Sequence, residues 1–191
     1  METIKYPAKD SWDSLCRRAL ADKAAEVTAT VTDIIAEVEK RGDQALIDYE
    51  KRFTGASLSA LEVTAEELDH AETAISDELK TAINQAAENI EAFHKAQMMA
   101  PVEVETSPGV RCLQRAVPIE RVGLYIPGGN SPLFSTVLML AIPARIAGCR
   151  EIILCTPPGK DGSVHPAILY AARLAGVKHI FKTGGAQAIA A

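Results

Sequence analysis

The chain is poor in aromatics, which make up 5% of its residues, with a single tryptophan. It has no surplus of basic charge: 20 Lys and Arg stand against 25 Asp and Glu, net −5, which argues against broad nucleic-acid binding. It has no CxxC pair. Cys16, Cys112, Cys149 and Cys155 are widely spread, so a reduced, cytoplasmic chain is expected rather than a disulfide scaffold. No apolar run is long enough to cross a bilayer, and the first ten residues have no signal-peptide core. What remains is an ordinary globular composition, 48% apolar and 24% charged over 191 residues. A compact monomer of this mass exposes about 8,800 Å².

Proline and glycine are nearly missing from the first hundred residues, where Pro7, Gly42 and Gly55 are the sole examples. That stretch holds 20 acids and 11 bases, net −9; the remainder holds 5 acids and 9 bases, net +4. The shift of character near Pro101, Pro108 and Gly109 divides a helical N-terminal region, 1–105, from an α/β region, 106–191.

Helical spacing aligns Val27, Val31, Ile34, Ile35 and Val38, with Gly42 as a stop. Asp43 is placed to cap a segment carrying Leu46, Ile47, Tyr49 and Phe53. Thr64 and Glu67 form a capping box, in which two orphan amides are satisfied reciprocally. Ser76 caps a long helix whose buried side is expected to carry Leu79, Ile83, Ala86, Ile90 and Phe93.

Beyond residue 101 the rhythm changes. Val102–Thr106 and Val110–Ile119 read as a hairpin turning at Ser107-Pro108-Gly109. Strands at Val122–Ile126, Glu151–Thr156 and Val177–Phe181 then alternate with helices near Ser131–Ala147 and Ser163–Ala175. Another helical turn starts at Gly184. This order implies a Rossmann-like parallel sheet with right-handed crossovers. Glu151–Thr156 suits a strand buried on both faces, and Pro143 predicts a kink or a broken turn near Met139.

Three turns follow these strands, so they are expected at one sheet edge. In Tyr125-Ile126-Pro127-Gly128-Gly129-Asn130-Ser131-Pro132, paired glycines allow close backbone approach, with Ser131 as cap and Pro132 at the first helical position. The others are Thr156-Pro157-Pro158-Gly159-Lys160 and Lys182-Thr183-Gly184-Gly185-Ala186-Gln187. Neither GxGxxG nor a Walker loop is present, so a ligand turn and a merely tight turn both remain open. His70, His94, His165 and His179 form no metal-spaced cluster. Cys149 and Cys155 lack an adjacent base, so no catalytic or metal residue is assigned.

The stretch Arg121-Val122-Gly123-Leu124-Tyr125-Ile126-Pro127-Gly128-Gly129 resembles the signature region of histidinol dehydrogenases. So do Ser131-Pro132-Leu133-Phe134-Ser135-Thr136-Val137-Leu138-Met139-Leu140, its continuation Ala141 to Cys149, Leu154-Cys155-Thr156-Pro157-Pro158, and Gly184 to Ala191. The resemblance extends over the whole chain and implies a cytoplasmic homodimer of histidine biosynthesis. That enzyme oxidises L-histidinol through the aldehyde to L-histidine with two NAD⁺ and one zinc ion per site. By motif position Tyr125 and Gln187 carry over as NAD-contacting residues, and Gly128 and Gly129 would let the backbone approach the cofactor. The family's zinc ligands and its glutamate–histidine pair lie downstream of these motifs, and the family enzyme is more than twice as long. The chain thus resembles an N-terminal portion, expected to be inactive alone. A noncatalytic nucleotide-binding or regulatory module is the alternative.

Overall fold

Two local signals set the helical layer. The computed structural model describes residues 4–16, 24–129 and 131–191. A 3-10 turn, Lys9–Ser11, leads into α1 (Trp12–Cys16); α2 (Ala24–Arg41) and α3 (Asp43–Phe53) follow. Gly42, at φ 55, is the N-cap of α3, so Asp43 stands inside the helix rather than capping it. In α4 (Ala65–Thr73) the Thr64 hydroxyl accepts from Glu67 N–H, and the Glu67 carboxylate accepts from Thr64 N–H. Ser76 accepts from Leu79 N–H at the start of α5 (Asp77–Ala96). Thr64→Ala is expected to cost about 1 kcal/mol; a urea midpoint equal to that of the parent chain would contradict the box's role.

The sheet consists of β3 (Arg121–Tyr125), β4 (Glu151–Thr156) and β5 (His179–Lys182), all parallel in the order β3-β4-β5. The separate antiparallel pair β1 (Val102–Ser107) and β2 (Val110–Gln114) turns where the glycine and proline predict, and both strands are exposed throughout. Between the parallel strands run α6 (Phe134–Ala147) and α7 (Pro166–Ala175). Each ends in a left-handed glycine, Gly148 at φ 90 and Gly176 at φ 88, whose N–H returns to the last helical carbonyls. A final short helix, α8 (Gly185–Ala190), follows β5.

Two hydrophobic clusters flank the sheet. On one side Val137, Leu138, Ala141 and Ile142 of α6 meet Ile168 and Leu169 of α7, with Leu154 and Ile180 from the strands. Ala71, Ile75, Ile83 and Ala87 pack behind these helices, so α4 and α5 share one core with the α/β region. On the other side Ile34, Val38, Ala45, Leu46 and Leu61 gather Phe181 and Ala186. The segment around Glu62 pairs antiparallel with β5: Val63 N–H donates to the Ile180 carbonyl at 2.8 Å, and Lys182 N–H donates to the Leu61 carbonyl at 2.7 Å.

Several sequence expectations need correction. β4 is not buried on both faces: Leu154 and Thr156 are, whereas Ile153 and Cys155 line a groove of about 800 Å³ on the other face. α6 continues through Pro143 without a broken turn, and Met139, whose carbonyl loses its usual donor, is 59% exposed. Its N-cap is Leu133 with no side-chain acceptor, so neither Ser131 nor Pro132 takes its expected position. Phe93, Val27 and Ile35 are exposed, their parts of the helical stripes being incompletely covered among the described residues. The accessible surface totals 13308 Å², well above the compact-monomer value of about 8,800 Å².

Candidate functional site

In a parallel sheet every strand ends at the same edge, and the three turns meet there. Tyr125 lies opposite Cys155 in the β3–β4 register, and Thr156 opposite Lys182 in β4–β5. Pro157, next after β4, is wedged between the other two turns. A Cβ on Gly128 would stand 2.5 Å from Pro157 Cγ, and one on Gly184 would stand 2.7 Å from Pro157 Cβ. Gly128 and Gly184 are therefore glycines because the turns touch, whereas a Cβ on Gly129 would meet open space. The Tyr125 hydroxyl accepts from Gly185 N–H at 3.1 Å, which ties the first turn directly to the third. Its own proton stays available to an outside acceptor.

Gln187 occupies the first turn of α8 and is 2% exposed. Its Nε2 donates to Glu50 Oε1 at 3.1 Å. The same carboxylate oxygen accepts from Thr183 Oγ1 at 3.1 Å and from Gly184 N–H at 2.8 Å. Glu50, fully buried in α3, thus holds the third turn in place through three donors. Among the described residues, the buried side-chain oxygens left without a partner are Glu50 Oε2 and Gln187 Oε1. Both residues line a cleft of about 340 Å³ bounded by Ile34, Phe53, Thr54 and Pro157.

Sequence reasoning missed Glu50. A signal was present: Leu46, Glu50 and Phe53 fall at i, i+4 and i+7, so a carboxylate sits on an apolar helical stripe. A charge in that position needs partners, and spacing alone does not say that they lie 133 to 137 residues away.

The remaining polar residues have structural partners. Lys182, nearly buried, reaches Glu67 Oε1 at 2.6 Å and so links β5 to the capping box of α4. His165 caps α7 by accepting from Ala167 N–H at 3.2 Å, and His179 Nδ1 lies 2.9 Å from Glu62 Oε1. Burial pushes the Cys155 thiol above its ordinary pKa, which disfavours the reactive thiolate. No group of three His, Cys, Asp or Glu among the described residues could hold a metal ion. The residues present do not fit the zinc that the resemblance implies, and no metal-dependent step is assigned to them. Beside the turns Gln187 keeps a buried oxygen without a partner among the described residues, and Leu133 at the cap of α6 supplies no side-chain acceptor.

The family model for histidinol dehydrogenase matches residues 17–191. A histidinol dehydrogenase of Bacteroides thetaiotaomicron is 59% identical over 191 residues, covering 100% of this chain and 44% of that relative. The histidinol dehydrogenase of Salmonella typhimurium is 53% identical over 178 residues, covering 93% of this chain and 40% of its own length. Among solved structures, the crystal structure of histidinol dehydrogenase from Elizabethkingia anophelis superposes with a TM-score of 0.88 at 47% identity. It covers 96% of this chain and 42% of that one. The chain spans less than half the length of these relatives.

Proposed function

The chain belongs to the histidinol dehydrogenase family, and from that premise we propose that it supplies the nucleotide-binding part of an NAD-dependent oxidation of L-histidinol to L-histidine. The observation that carries this reading is the junction of the strand-end turns, where Gly185 N–H donates to the Tyr125 hydroxyl. Bound NAD would supply the acceptor for hydride leaving the alcohol carbon. The chain's own part is to bind and orient. Tyr125 keeps a hydroxyl proton for a phosphate or ribose oxygen. Gly129, open around its Cα, lets the nucleotide approach the backbone, and Gly128 keeps that turn against Pro157. Gln187 keeps one amide oxygen without a partner, and that oxygen is the atom this reading turns toward the nucleotide.

No group among the described residues could hold a metal ion, and on this reading oriented hydride transfer draws on residues from elsewhere in the family's longer chain. No helix among the described residues is long and apolar enough to span a membrane. A cytoplasmic homodimer is the assembly proposed, and the exposed apolar residues of the hairpin and of α5 support an uncovered interface.

The 191-residue chain is expected to bind NAD with a Kd at or below about 1 mM. With L-histidinol, NAD and zinc it is expected to produce no NADH. Calorimetric titration and absorbance at the NADH band check both. Silent calorimetry with well-folded protein removes the nucleotide assignment, and sustained zinc-dependent turnover overturns the division of labour.

A further inference from the structure

We propose that Glu50 is a positioning residue that orients the Gln187 amide, so that the cofactor group met there is a hydrogen-bond donor. The proposal rests on the NAD reading above and adds a polarity to it. An amide has one donating and one accepting end, and rotation by half a turn exchanges them. Here the exchange is blocked. Glu50 Oε1 takes the amide nitrogen at 3.1 Å while also accepting from Thr183 and Gly184. A flipped amide would place oxygen against a carboxylate oxygen, two acceptors with no proton between them. The nitrogen is therefore committed inward and Oε1 is left over.

Two further observations agree. Among the described residues Oε1 has no partner and neither does Glu50 Oε2; both are buried acceptors of residues that line this cleft, a polarity that disfavours an anionic phosphate there. A Cβ on residue 185 would lie 2.7 Å from Gln187 Oε1, so glycine there, at φ 63, keeps its own position from crowding that buried oxygen. The fitting partners on a dinucleotide are a ribose hydroxyl or the carboxamide N–H. On this reading the negatively charged diphosphate lies away from this cleft.

The test uses the chain with Glu50→Gln, Glu50→Met and, as a core control far from the turns, Ile83→Ala. Glu50→Gln keeps an oxygen for the three donors, and Glu50→Met removes it at similar length. Titration with NAD and with ADP-ribose should leave Glu50→Gln and Ile83→Ala within about threefold of the parent. Glu50→Met should weaken NAD by about tenfold or more, the loss of one oriented hydrogen bond. Equal weakening of ADP-ribose places the donor on a ribose hydroxyl; weakening of NAD alone places it on the carboxamide. A second readout needs no nucleotide: the Gln187 side-chain N–H signals should exchange slowly in the parent and in Glu50→Gln, and fast in Glu50→Met. Parent-like exchange in Glu50→Met overturns the positioning role whether or not NAD binds. Unchanged NAD affinity in Glu50→Met overturns it as well, as does a Glu50→Gln variant that fails as badly as Glu50→Met. A parent chain that binds no nucleotide while keeping the exchange pattern sinks the NAD reading, and with it the donor assignment, and leaves the orientation of Gln187 standing.

Discussion

Glu50→Ala is expected to destabilise the chain by about 3–4 kcal/mol, with a loss of about 1–3 M in the urea midpoint. The substitution strips one acceptor from three donors at once: the Thr183 hydroxyl, the Gly184 amide and the Gln187 side chain. Thr183 and Gln187 are each only 2% exposed, so water does not readily replace the lost oxygen. Each buried donor left unmade costs about 1–3 kcal/mol, and some relaxation keeps the total below the simple sum. Glu50→Gln supplies an oxygen in the same place and is expected to stay within about 1 kcal/mol of the parent, because the second carboxylate oxygen makes no bond that would be lost. An alanine variant that unfolds at the parental urea concentration would show that the turn is held by something else.

The second large effect is steric. Gly128→Ala and Gly184→Ala are each expected to cost about 1–3 kcal/mol, the range for forced overpacking. Backbone strain is not the reason: Gly184 sits at φ −130, and Gly128 is not among the positive-φ residues. The cost comes from the Pro157 ring, and its atoms differ between the two cases. The Gly128 clash is with Pro157 Cγ at 2.5 Å, while Cβ stands off at 3.6 Å. The Gly184 clash is with Pro157 Cβ itself at 2.7 Å. Pro157→Ala deletes Cγ and retains Cβ, so it should relieve Gly128→Ala and do little for Gly184→Ala. A double-mutant cycle measured by urea unfolding should find a coupling near 1 kcal/mol or more for the first pair and a small one for the second. Equal coupling in both pairs would contradict this placement of the ring.

What the sequence disclosed was chiefly what neighbours along the chain decide. The Thr64–Glu67 box, the Ser76 cap, the turn at Pro108-Gly109 and the apolar core of each parallel strand all depend on residues a few positions apart. The common edge of the three turns was also readable, since parallel strands joined by helices leave no other arrangement. The site's interior was not. Glu50 meets the third turn only after the chain has folded back on itself, and the wedge of Pro157 has no trace in spacing. Capping by Ser131 failed for a related reason. The glycine turn is held against Pro157 first, and α6 begins only at Phe134. Helical stripes predicted which side of α2 and α5 is apolar, yet Ile35 and Phe93 show that an apolar stripe need not be covered along its whole length.

The backbone ladder between Leu61–Val63 and β5 has a geometric corollary. With β4 on one flank and that segment on the other, β5 has no free hydrogen-bonding side over this stretch. Among the described residues the sheet's unpaired parallel edge is that of Arg121–Tyr125, so growth of the sheet by a further parallel strand is one-directional.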